Sequence, residues 1–290
     1  GALGAACADN NVGVGFEALN DYTGSDATAV GSGAADAATS ATNLTAVGAS
    51  ALGQVTDGLE NTGIGYAAAQ TITTGDYNTA LGSLAMSVSH INALRNTAIG
   101  RAALADGASE DDNTAVGYKA MAAFTGSDAV AIGSNAADVA VSQTNLTAVG
   151  AGALGAATSG NHNTAVGTDS LKTVDGANNT AVGSGTLGAD CVSNNVAMGY
   201  AALNAFTGSD ATAVGSGAAD ALTSGAGNSA FGRLALSTSV DGINNTAVGR
   251  AALGNADCAD NNTGVGFEAL NVFTGNSATA IGSQAADVAG

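Results

Sequence analysis

The sequence predicts an all-β chain wound as a parallel β-solenoid, or β-roll, of about 17 coils, each 16–18 residues long. Three observations predict it. First, a short unit typified by Asn113-Thr114-Ala115-Val116-Gly117 returns seventeen times, from Gly15 to Gly282, with six intervals of 16, nine of 17 and one of 18 residues. Second, the residue before every one of these glycines is apolar and most are β-branched, which suits strands. Third, the composition lacks what a globule needs. Aromatic residues are 4 %, Pro is absent, and most of the 46 % hydrophobic content is small Ala and Val. Side chains of that size fill thin layers at crystal-like density, not a wide core.

The strand is the first element. A coil of this length has room for two short strands and two turns, not for a helix–turn–helix. Three positions before each glycine stands Thr, with Val12, Val130, Val196 and Ser229 as the exceptions. The position between Thr and the apolar residue is always Ala or Gly. Side chains alternate across a strand. We therefore expect Thr and the large apolar residue to share the face that meets the core. The Ala/Gly face would then admit a close neighbour. On this expectation Val116→Asp opens the stack, because a charge in a thin core has no partner.

Asn precedes the glycine by four residues in eleven of the seventeen copies. Equal positions of a solenoid stack, so aligned Asn side chains are expected to hydrogen-bond up the ladder. After the glycine a second element is expected, with a core residue four positions on, as in Leu19, Leu52, Met86, Leu104, Met121 and Leu154. Turns of Thr, Gly, Ser, Asp and Asn close the coil, such as Thr23-Gly24-Ser25-Asp26. The absence of Pro fits strands that must donate to a ladder.

Four coils carry an aromatic residue seven positions past the glycine: Tyr22, Phe124, Phe206 and Phe273. The coil after each has Ala where others have Leu: Ala35, Ala137, Ala219 and Ala286. Volume compensation is the expected reason, each ring filling space that the next coil leaves.

Charge excludes several functions. The formal net charge is −18, with two Lys and four Arg, so there is no basic stripe for nucleic acid. No run of 18 uncharged apolar residues suggests membrane insertion. Cys7, Cys191 and Cys258 each lie eight residues before a motif glycine and so occupy one position in three coils. At about 4.8 Å per coil the nearest pair is roughly 19 Å apart, beyond the ~7 Å that a disulfide spans. They are expected to be small buried thiols, or cross-chain contacts.

Catalytic and metal-binding patterns are missing. His90 and His162 stand alone in loops, without Cys or Asp at ligand spacing, and are expected at the surface. Asp-bearing turns offer hard oxygen ligands for Ca²⁺, but the calcium-roll nonapeptide is absent, so no catalytic, cofactor or metal residues are assigned. We expect no enzyme. The sequence begins with Gly1 rather than Met and stops mid-pattern at Gly290. We expect residues 1–290 to be one continuous array within a longer fibrous protein.

The longer unit Asn113-Thr114-Ala115-Val116-Gly117-Tyr118-Lys119-Ala120-Met121 resembles the Asn-Thr-Ala-Ile-Gly-Tyr-x-Ala-Leu repeats of bacteriophage tail fibres and bacterial surface fibres. It is also similar to the Asn-Ser-Val-Ala-Ile-Gly repeats of YadA-like heads in trimeric autotransporter adhesins. The resemblance spans essentially the whole chain. It implies a left-handed, homotrimeric roll, extracellular, on a cell surface or virion, serving as a shaft or adhesive head. Its partners would be copies of itself and a host surface glycan or receptor. The alternative is a monomeric ice- or mineral-binding solenoid using a Thr ladder, with Thr79, Thr97 and Thr114 in register. Solvent-exposed Thr rows would favour that alternative.

Overall fold

The computed structural model describes residues 3, 8–88, 90–107, 111–140, 142–255, 257 and 259–287. Among them are seventeen three-residue strands and no helix. The chain divides into two compact units, Gly1–Leu146 and Thr147–Gly290. The first holds β1 (Val12–Val14) to β8 (Val130–Ile132), and the second holds β9 (Thr147–Val149) to β17 (Thr279–Ile281). Within each unit consecutive strands pair in parallel, so each unit is a β-solenoid of one strand per coil.

Register is set by the repeat itself. Thr97 pairs with Thr114, Ala98 with Ala115 and Ile99 with Val116, and the same columns hold where the spacing is 16, 17 or 18. The corner glycine absorbs the turn. Gly48 has φ +133°, and a Cβ there would lie 2.4 Å from the carbonyl oxygen of Gly65 in the next coil. Only hydrogen fits at such a position.

The strand faces are the reverse of the sequence expectation. The middle Ala points inward: Ala29, Ala46, Ala80, Ala98 and Ala115 are fully buried. Thr and Val point outward, and Thr114 and Val116 are half-buried on the outer surface of the coil. The reason is the thinness of the coil. At Gly63, in the Ala column, a Cβ would lie 3.0 Å from Leu52 Cγ and 3.0 Å from the Ala68 carbonyl oxygen. The interior has space for about one methyl beside the Leu layer, and a Val would collide with it. The destabilisation expected of Val116→Asp loses its premise with this inversion. So does the idea that the Ala/Gly face meets another chain.

The second element differs as well. The stretch after the glycine is a run of turns, not a strand. Its second and fourth residues adopt left-handed backbone angles, for example Glu17 (φ 57°) and Leu19 (φ 52°), or Ser50 (φ 57°) and Leu52 (φ 49°). The run is nonetheless laddered: Leu19 N–H donates to Ala34 O (3.1 Å) and Leu52 N–H to Ala68 O (2.9 Å). An L-residue in this conformation costs about 1–2 kcal/mol. Burying a Leu or Met side chain returns about 1.5–3 kcal/mol, and the inter-coil bonds add to it. Leu19, Leu52, Met86, Leu104, Met121 and Leu154 are all fully buried, as expected.

The Asn ladder forms, with more backbone in it than expected. Asn78 Oδ1 accepts the backbone N–H of Asn96 (3.0 Å), and Asn78 Nδ2 donates to the Ala93 carbonyl (2.6 Å). Asn96 Oδ1 accepts the N–H of Asn113 in turn (2.9 Å). The second unit repeats this from Asn163 through Asn179 to Asn195, each step 2.9 Å. Asn61, Asn78, Asn163, Asn179 and Asn195 each join their coil to the next through one acceptor and one donor, which satisfies two main-chain groups that would otherwise be orphaned.

Three aromatic rings, Tyr22, Phe124 and Phe206, are fully buried, and Phe273 in the penultimate coil is half-buried. The space they fill is that of a missing Asn. The coils with these rings run on into Ala27, Ala129, Ala211 and Ala278, where eleven of the other thirteen coils have Asn and two have Leu44 and Leu146. A Cβ at Gly24 would lie 2.9 Å from the Tyr22 ring tip, and one at the equivalent Gly58 would lie 2.8 Å from Asn61 Nδ2. Ring and amide thus occupy the same site beside the turn glycine. Tyr22 also takes over the bonding: its hydroxyl reaches the Ala41 carbonyl (2.7 Å) and the Ser25 carbonyl (2.9 Å).

Candidate interaction surface

Two rows run up the outer sheet face of each unit. One is the large apolar residue before the glycine. In the first unit Val14 is 54 %, Leu81 43 % and Ile132 42 % exposed, and in the second Met198 and Phe231 are exposed to the same degree. The other is Thr, two residues earlier, and both rows project from the same face. Rungs lie about 4.8 Å apart, and the two rows about 6.6 Å apart along the strand. The result is a ribbon of methyls and hydroxyls on a regular grid.

Two edges flank this ribbon. On one, just past the glycine, stand exposed aromatic residues: Phe16, Tyr66 and Tyr118 in the first unit, Tyr200 and Phe267 in the second. Four of the six cations lie on this edge too, Arg101, Lys119, Arg233 and Arg250, together with the carboxylates of Glu17, Asp169 and Glu268. The Arg101 guanidinium sits 5.7 Å and the Lys119 ammonium 5.9 Å from the Tyr118 ring centroid. Arg250 lies 5.4 Å from the Phe267 centroid. The opposite edge, before the Asn column, is acidic. In the first unit it carries Asp26, Glu60, Asp76, Asp111, Asp112 and Asp128. Arg95 on that edge is closed onto Asp112 by two 2.7 Å bonds. The guanidinium holds the Asp112 carboxyl below the usual carboxylate range, and the hydrogen bond with Ser25, then Asn10, does so for Asp26.

The predicted thiols and imidazoles fall elsewhere. Cys191 is buried, and desolvation pushes its thiol up to about 11. Cys7 and Cys258 lie outside the described residues. His162 is at the surface, as expected. His90 is not: it is 1 % exposed, and its Nε2 donates to the Leu104 carbonyl at 2.6 Å. It occupies the single 18-residue interval, Gly82 to Gly100. Among the described residues no three His, Cys, Asp or Glu side chains converge in a way that could hold a metal. Nor is any helix long and apolar enough to cross a membrane.

Sequence reasoning missed the outward ribbon, although a signal for it was present. The column called outward never exceeds Ala, whereas the column called inward ranges from Val to Phe. A tightly packed site tolerates little change in volume, so the column of uniform size marks the inside. No protein-family model matches this chain, and no curated protein matches it.

Proposed function

We propose that the chain is a segment of an extracellular structural or adhesive fibre, of the bacteriophage tail-fibre or bacterial surface-adhesin kind, that works by associating with copies of itself. The observation that carries this reading is the exposed apolar column on the sheet face of each unit. An outward apolar column that alternates between exposed and half-buried members marks a surface that is covered in use, and a homo-oligomer covers it with identical surface. The repeat resemblance favours three chains. The acidic surface beyond the ribbon keeps such a particle soluble. In this reading the repeats are scaffold, no reaction is catalysed, and any host glycan or receptor is met by the variable turns.

A second reading gains from the outward Thr rows: an ice- or mineral-binding monomer whose flat, regular Thr and Val grid meets the crystal. One pair of measurements separates the two. Light scattering on the native protein should give a multiple of the 27.2 kDa chain mass, with no effect on ice recrystallisation. A single-chain mass together with ice-growth inhibition would replace the fibre reading by the second one.

A further inference from the structure

We propose that copies of this chain pack side by side in parallel, the cation–aromatic edge of one sheet face docking on the acidic edge of the next. The inference rests on the self-association reading above and adds its polarity and its anchoring residues. It follows from the two edges being unlike. In the first unit one edge presents Arg101 and Lys119 against the Tyr118 ring, while the other presents Asp26, Glu60, Asp76 and Asp128. The second unit keeps a weaker contrast: Arg233 and Arg250 balance Asp169 and Glu268 on one edge, while the other carries Asp210 and Asp260.

Symmetry then decides the direction. When faces meet around an axis parallel to the stack, each cationic edge abuts an acidic edge. When two faces meet antiparallel, the edge-to-edge direction is kept, so cations face cations and carboxylates face carboxylates. Like charges brought together across an interface are costly, and opposite ones fix register and speed encounter. The cations are also well suited as anchors. An Arg or Lys laid over an aromatic ring is already partly ordered and desolvated, and aromatic residues and Arg dominate interface energetics. The ribbon of Val and Thr between the edges supplies the apolar area, and the edges supply direction.

The test is charge exchange in the full chain, read by light scattering, circular dichroism and melting. Arg101→Glu with Lys119→Glu lies on exposed and half-exposed side chains, so the β-rich circular-dichroism spectrum should stay as in the parent, while melting falls modestly through loss of Lys119 beside Asp138 and of the partner chains. The particle mass at physiological salt should fall by at least half. Adding Glu60→Lys and Asp128→Lys, whose carboxylates hold no backbone N–H, should restore the parent mass. A double variant with undiminished mass, or a fourfold variant that fails to recover it, overturns the edge pairing and leaves the apolar-face reading standing. A parent protein that is a single chain overturns both.

Discussion

At the residue scale, the decisive feature is that Ala115, not Val116, is in the core. Ala115→Leu should therefore destabilise the fold by about 1–3 kcal/mol, the usual cost of overpacking. Val116→Asp should change the intrinsic stability of the coil by only about 0.5 kcal/mol, the range of surface changes. Thermal melting in dilute solution checks both. Residue identity alone did not reveal this, since Val is more hydrophobic than Ala and the alternation of a strand is blind to which face is which. The spread of sizes within each column is the physical clue, and it settles the direction. Cys191 is the other residue-level test. With its thiol pushed up to about 11 by burial, it should resist alkylation at pH 8 in the native protein, and react once urea opens the coil. Rapid native labelling would mean that the coil around it is open.

The coil, as an element, is held by the Asn column and its aromatic substitutes. Replacing Asn78 by Leu removes the acceptor for the Asn96 N–H and the donor to the Ala93 carbonyl. Each buried group left unpaired costs about 1–3 kcal/mol, so a clear loss of melting temperature is expected. Tyr22→Phe should cost only about 1 kcal/mol, because Phe124 and Phe206 already stand at the equivalent place without a hydroxyl. The ladder was legible in the sequence from the eleven Asn. The exchange of ring for amide was not, because it joins positions in different segments of the coil that meet only after winding. The turn run was illegible for a related reason: no residue pattern announces Leu in a left-handed conformation.

Two carboxyls add a pH dependence at this scale. Burial raises the pKa of Asp138 and Asp220 above the usual value, with Lys119 opposing the shift at Asp138. A group whose folded pKa is raised favours the fold below its unfolded pKa, and that favour is lost as pH rises through the folded pKa. Asp138→Asn and Asp220→Asn should therefore raise the melting temperature at pH 7. The gain should vanish as the pH falls below the normal carboxylate range. A gain that persists at low pH would show that the carboxyl charge is not the cause.

On the scale of the whole molecule, the composition foretold the architecture well. Few large side chains, no Pro and a fixed period leave little but a thin wound stack, and both units are built that way. What composition did not show is the outer face. Its Val and Thr ribbon and its unlike edges arise only when coils are stacked, bringing residues 17 apart in sequence to neighbouring rungs. The surface that we propose to act is thus a product of winding rather than of any local motif.

The direct test of that surface is to spoil it without touching the core. Val47→Asp and Val116→Asp in the first unit, with Val166→Asp and Val182→Asp in the second, place charges in the outward column only. Light scattering and circular dichroism of this variant, beside the parent, give the answer. A multiple-chain parent and a single-chain variant with the same β-rich spectrum is the result that the account predicts. A parent that is already a single chain, or a variant that unfolds, would contradict it.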